Sequence, residues 1–514
     1  MKNLVLKLTK YNINLILLSL IILINSIYCI QLFLLNKFLE AKILDWYLLE
    51  AMLNITRISI KNFNLSTTFF FDNSNLNALF GGNPYSFPYA IRTPDVVLLL
   101  LVSNHVFLFI HTILILTLAI LGLNKLCDYL HFNISARIFL MLIWFFNGAL
   151  IGRYSVGHLQ LYGYLFIPFF IYLILSSNKQ NLNVKSMSWK FATFLSFLLL
   201  LGSMHVWFQM ILFMFLISIF IKRRRAMYVI SIIKSFLLSA WIIIPTFFSS
   251  NYMLPNIINT REVGVGYGWR YFNNPPYVFL DKDGLGLRID INAILFHVKE
   301  IFFQITHALF NFNMLIEDAS WEWSLYSGPF FLVVCTFLIL YLVIAVSNKT
   351  KFFSKDAFSI ELLSNDFYVM IVTSFLLGIS INYRAIYLLF QRIFENIPII
   401  DRIPYRSLLY TYAGLIVIIT IFANNLMQRS VIFKYFFTAG FTLNFIFLLA
   451  NVKNWNLQKL SEIPGSGEMN SASEQFQIQN GGWGAYTTLL FSMMFISLMS
   501  YIYWFKTNLI SRKL

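Results

Sequence analysis

The sequence predicts an all-α polytopic membrane protein, with about twelve transmembrane helices and large outer loops carrying short amphipathic helices. Three observations predict it. The 514-residue chain is 59% hydrophobic and only 12% charged, with a mean hydropathy of +0.71, whereas soluble domains carry about 25% charged residues. Apolar runs on the scale of a span recur along its length. Lysine and arginine gather in the short connections on one side.

The apolar windows fall near 13–36, 96–122, 136–152, 162–177, 190–202, 206–221, 226–247, 326–347, 367–383, 407–426, 435–451 and 485–505. The first follows Lys2, Lys7 and Lys10, like the start of a signal peptide. Its apolar run is too long for one, and "SIYC" offers no small-residue cleavage position, so it is expected to remain as a span. The windows 190–202 and 206–221 are short; they read as a tight hairpin around "GSMHVWFQ" (202–209) or as one long bent helix.

Charge sets the expected orientation. With the N-terminus inside, the inner segments hold 20 of the 38 lysines and arginines, including "KRRR" (222–225) and the tail 506–514. They hold four acids, Asp128, Asp356, Glu361 and Asp366, of the 22 in the chain. The outer segments hold 17 bases, and Lys234 lies within a window. Short basic loops stay in the cytoplasm, so both termini are expected there, in the plasma membrane of an Ile-, Asn- and Lys-rich bacterial-type chain. The net charge of +16 is then a topology signal with attraction to anionic lipid. No basic patch with interleaved aromatics suggests nucleic acid, and no P-loop or dinucleotide glycine pattern occurs. Cys29, Cys127 and Cys335 show no paired spacing, so neither a disulfide framework nor a zinc site follows.

The chain reads as one membrane-embedded domain over 1–514, with outer loops at 39–95, 248–325, 384–406 and 452–484. Elaborate loops on one face suggest that the work is done there. Five stretches stand out: "LDWYLLE" (44–50) with "LFGGNPYSFPYAIRTPD" (79–95), "GRYSVGHLQLYGY" (152–164), "GSMHVWFQ", "IEDASWEWSLYSGP" (316–329) and "IDRIPYRSLL" (400–409).

In order and sidedness these stretches resemble the GT-C superfamily of integral-membrane glycosyltransferases, most similar to its bacterial YfhO-like branch. The likeness consists of an acid after the first span, a "GGNP" element, a "GH" turn, a Glu–aromatic–"YSG" lead-in and an R-x-P-x-R. It implies a polyprenyl-phosphate-linked sugar as donor, inversion at the anomeric carbon, and a glycan, lipid or protein acceptor. On that resemblance Asp45 matches the first-loop carboxylate and would be the general base, a role worth about 10²–10⁴-fold. Arg402 and Arg406, helped by Arg153 and His158, would neutralise the departing phosphate, for which the guanidinium fork is suited. Glu322 with Trp321, Trp323 and Tyr326 would form the sugar site, with Glu50, Asn83 and His205 among the sugar- and acceptor-binding candidates. Asp45 has no adjacent acid, and Glu50 at i+5 would not share its helix face; a divalent metal is therefore not expected, and no other cofactor. "DKDG" (281–284) fails as a calcium loop, having Leu285 and Asn292 where liganding residues are needed.

Plainer readings stand beside these. An acid at a helix end, snorkelling arginines, hydrogen-bonding histidines and an aromatic belt are ordinary features of membrane proteins. A lipid or glycan transporter or flippase would place ionisable residues at mid-membrane, where His111 and Lys234 are the clearest candidates. An outer-face polysaccharide polymerase or ligase would not need a carboxylate after the first span.

Overall fold

The computed structural model describes residues 45–61, 91–147, 150, 159–178, 183–250, 278–280, 287–289, 330–331, 333–336, 363–378, 407–429 and 431–454. Ten α-helices lie among them: α1 (Asp45–Lys61), α2 (Asn104–Tyr129), α3 (Ile134–Phe145), α4 (Ile167–Ser176), α5 (Val184–Leu200), α6 (Met204–Phe220), α7 (Arg225–Ser250), α8 (Asn365–Gly378), α9 (Leu408–Arg429) and α10 (Val431–Asn454). Two 3-10 turns, Pro94–Leu100 and Leu159–Phe166, precede α2 and α4.

Local chemistry explains where these helices begin and end. Asn133 and Asn183 cap α3 and α5, their side chains accepting from the amides of Ala136 (2.9 Å) and Ser186 (3.1 Å). Pro168 stands in the first turn of α4, where its missing N–H costs nothing. After α5, Gly202 takes φ 71°, while its amide donates to Leu199 O and that of Ser203 to Leu198 O. This is the left-handed stop that glycine supplies. The windows at 190–202 and 206–221 are therefore two helices and not one bent one.

Side-chain pairs give the packing its register. Thr112 meets Tyr162, Gly122 faces Phe169, and Tyr129 donates to Leu175 O (3.0 Å), so α2 and α4 run parallel. Asn133 N–H donates to Asn424 Oδ1 (2.9 Å) and Trp144 stacks on Tyr412, so α3 and α9 run antiparallel. Phe166 with Phe197 and Phe170 with Phe191 set α5 antiparallel to α4. Trp207 Nε1 donates to Ser235 Oγ (3.0 Å) between α6 and α7. Ser231, Ser235 and Ser239 form a buried stripe at helical spacing, small residues that let α7 approach its neighbours closely.

This alternation gives the bundle two ends. The turn end carries the two 3-10 turns, the starts of α2, α6 and α9, and the ends of α3 and α5. The basic end carries Arg137, paired with Asp128 (2.6 Å), and Arg224, which reaches Asp366 (3.4 Å) beside the hydroxyl of Tyr228 (2.7 Å).

The structure corrects the expected architecture. Among the described residues three helices, not about twelve, are long and apolar enough to cross a membrane: Asn104–Tyr129, Lys222–Ile243 and Leu408–Gln428. The window at 136–152 becomes a 12-residue helix, that at 162–177 a 3-10 turn with a 10-residue helix, and that at 367–383 a 14-residue helix. At 1.5 Å per residue even the 17-residue α5 and α6 reach only about 26 Å, short of a hydrocarbon core about 30 Å thick. Apolar windows register composition, whereas caps and glycine stops set length. The apolar content of the short helices is spent on one another: Phe139 to Phe145 of α3 are buried throughout, the mark of a helix that is apolar all round. Among the described residues the fold is all-α, as expected, apart from one short hairpin, β1 (Val278–Leu280) paired antiparallel with β2 (Leu287–Ile289), flanking "DKDG". The windows at 13–36 and 485–505, and most of 326–347, lie outside the described residues.

The long helices do expose apolar faces, including Val106, Phe109, Leu114, Leu118 and Leu121 on α2 and Ile230, Ile233 and Leu237 on α7. Patches of this kind are rare on soluble monomers, and with the three long helices they suggest membrane association.

Gly163 joins the 159–166 turn to α6, its amide donating to Ser203 Oγ (2.9 Å). A Cβ there would stand 2.8 Å from Ser203 Cβ and 3.0 Å from Val206 Cβ. Gly163→Ala is expected to destabilise the protein by about 1–3 kcal/mol through overpacking, measured by denaturant titration in detergent micelles.

Candidate functional site

The turn end is built around residues 92–111. Pro94 bars the helical region to the residue before it, and Thr93 is extended (φ −68°, ψ 151°). The chain then closes into the 94–100 turn with Asp95 in its first positions. Three neighbours hold that turn. Arg57 of α1 donates from Nε to Leu99 O (2.8 Å) and from Nη2 to Val102 O (2.7 Å), satisfying carbonyls at its end. Asn104 Nδ2 donates to Asn54 Oδ1 of α1 (2.8 Å). The amide of Arg92 donates to Leu200 O at the end of α5 (2.7 Å). Leu49, Met52, Leu53 and Thr56 form the buried face of α1 at helical spacing.

At the centre of this region Asp95 Oδ2 lies 2.6 Å from Nδ1 of His111, whose side chain is fully buried two turns into α2. The imidazole stacks on Phe107 and Tyr162, with ring centroids 5.5 and 6.1 Å away. The Tyr162 hydroxyl lies 2.8 Å from that of Thr112. Burial pushes the Asp95 carboxyl up, but the hydrogen bond and charge of His111 outweigh it and leave the group below its ordinary value. Burial pulls the Arg92 guanidinium down to about 9, still charged at neutral pH. The Asp95 carboxylate and Nδ1 of His111 share one hydrogen, which orients the ring. Among the described residues Nε2 is buried and meets no hydrogen-bonding group.

The residues flanking the predicted stretches gather at the same end. The 159–166 turn follows His158 directly and meets the start of α6 through Gly163 and Ser203, and again where Tyr164 Oη donates to Gln209 Oε1 (3.1 Å). Trp144 Nε1 donates to Leu165 O (3.1 Å), tying in the end of α3. Tyr410, four residues after Arg406, donates to Val206 O (3.4 Å) and meets Tyr164 edge-on. Phe331, five residues after Tyr326, packs on Tyr412.

Of the predicted site residues, Asp45 is the first residue of α1, Glu50 lies half-buried in the same helix, and His205 lies half-buried in the first turn of α6. Asn83, Arg153, His158, Trp321, Glu322, Trp323, Tyr326, Arg402 and Arg406 lie outside the described residues. The Asp95–His111 couple was not among the predicted site residues. Its members are sixteen positions apart across the break at 101–103, so no helical or strand period links them. The only signals were an acid after a proline and a lone histidine in an apolar run. Comparison with protein-family models, curated proteins and solved structures gives no match.

The electrostatics of the couple fix a pH dependence. A carboxyl whose folded pKa is lowered contributes stability that is present above its unfolded value, about 3.9, and lost as pH falls through the folded value. Asp95→Asn is expected to cost about 1.5–3 kcal/mol at pH 7. In thermal melts of wild type and variant from pH 7 to pH 2.5, the difference should shrink below about pH 4.

Proposed function

We infer that the protein is a membrane glycosyltransferase that moves a sugar from a polyprenyl-phosphate carrier to an envelope acceptor at the turn end of the bundle. The observation that supports this reading is convergence. Residues from or just beyond four of the five stretches lie at the turn end, which also holds the "RTPD" close of the first and the turn that α1 braces, and Asp45 opens α1. A carboxylate on an ordered helix is better placed for proton transfer than one on an open loop.

In the reaction, the acceptor hydroxyl oxygen bonds to the anomeric carbon as the bond to the lipid phosphate breaks. Asp45 takes the hydroxyl proton. The electron pair leaves with the phosphate, which Arg402 and Arg406 neutralise with help from Arg153 and His158. Glu322, Trp321, Trp323 and Tyr326 hold the sugar. The displacement inverts the anomeric centre and needs no metal. The turn end faces the exterior and the basic end the cytoplasm, following the charge asymmetry of the loops.

The Asp95–His111 couple, a half-buried carboxylate on a histidine inside the Asn104–Tyr129 helix, favours a second reading, proton-coupled transport of a lipid-linked glycan, because ionisable residues within membrane segments commonly mark proton paths. One experiment separates the two. Purified protein in nanodiscs is given polyprenyl-phosphate sugars and extracted envelope acceptors, with Asp45→Asn alongside. The inferred function predicts donor consumption by wild type and a loss of at least about a hundredfold in the variant. Uptake of lipid-linked glycan across vesicles without donor cleavage would replace it with transport.

A further inference from the structure

Lys185 on α5 and Lys234 on α7 both flank Ser188, and among the described residues neither is paired with a carboxylate. Lys234 lies within the Lys222–Ile243 span, on a face with Ile230, Ile233 and Leu237, which are 38, 53 and 51% exposed. Its Nζ donates to Ser188 Oγ (2.7 Å) and stands 4.6 Å from the centroid of the Trp189 ring. Higher on the same two helices Ser239 donates to Ser196 (3.0 Å). Moving five residues back along α7 thus moves the contact eight residues back along α5. The Lys234 side chain therefore runs toward the basic end, as a lysine does when its stem lies in lipid and its charge seeks the headgroups.

Lys185, exposed one turn before Trp189, adds its own positive charge to that of Lys234. The Ser188 hydroxyl already donates to Lys185 O (3.0 Å), so it only accepts from Lys234. Among the described residues no ion pair involves either lysine. Two like charges beside a low-dielectric surface repel unless an anion joins them. The ammonium of Lys234 has hydrogens to spare beyond Ser188, and Trp189 is a residue type that favours the headgroup level.

We propose that Lys185, Lys234 and Trp189 bind the phosphate of an anionic phospholipid in the leaflet at the basic end, with its acyl chains along Ile230, Ile233 and Leu237. Basic pockets between helices on the cytoplasmic side suit such headgroups. The site is at the opposite end from the candidate catalytic region and does not depend on the glycosyl-transfer reading.

The test is native mass spectrometry of the full-length protein in detergent titrated with phosphatidylglycerol, with phosphatidylcholine as the neutral control. Wild type should retain one phosphatidylglycerol that Lys234→Met and Lys185→Gln hold about fivefold less tightly each. Lys185→Gln alters an exposed side chain and keeps the test valid if Lys234→Met fails to fold. Lys222→Gln, an exposed base at the same end, should leave the retained molecule in place. Equal retention by wild type and Lys185→Gln would overturn the proposal. So would an equal loss in Lys222→Gln, which would signify diffuse attraction, or displacement of the lipid by inorganic phosphate at matched concentration.

Discussion

Polar side chains buried in a bundle this apolar mostly stand beside partners, and those partnerships help decide which helices lie together. An unpaired buried hydroxyl or amide costs roughly 1–3 kcal/mol, and dispersion among leucines and phenylalanines is too non-specific to choose one register over another. The selective contacts include Thr112 with Tyr162, Trp207 with Ser235, Ser374 with Thr411, Tyr228 with Asp366 and Asn133 with Asn424. Each links a different pair of elements and fits the alternation that gives the bundle a turn end and a basic end.

The same rule separates the two ends chemically. At the basic end, Arg137 and Arg224 are paired locally. Arg137 meets Asp128 and two further acceptors, Asn124 and the Phe132 carbonyl, and Asp366 meets both Arg224 and Tyr228. At the turn end Asp95 takes one nitrogen of His111, and among the described residues the other meets no hydrogen-bonding group. Arg57 ties α1, the helix opened by Asp45, to the end of the 94–100 turn that carries Asp95.

Much of the protein's class was legible in its residues. The low charge content, the basic side and the break at Gly202–Ser203 all follow from local composition and chemistry. The number of spanning helices was not legible, because a hydropathy window cannot distinguish a helix that faces lipid from a shorter one that faces other helices. "ISARIFLMLIWF" is as apolar as a span, yet Asn133 starts it and the chain leaves the helix after Phe145. Most of the site residues read from the sequence lie outside the described residues, and the Asp95–His111 and Tyr228–Asp366 partnerships span 16 and 138 positions and leave no periodic trace in the sequence.

The central claim is that a lipid-linked phosphate is handled at the turn end. It is tested most directly by photo-crosslinking the full-length protein in nanodiscs to a polyprenyl phosphate carrying a diazirine on its first isoprene unit, followed by peptide mapping. The account predicts labels on residues 91–102, 159–166, 204–209 and 408–412, competed away by unlabelled lipid. Competable labels confined to residues 124–137 and 218–228, at the basic end, would contradict it.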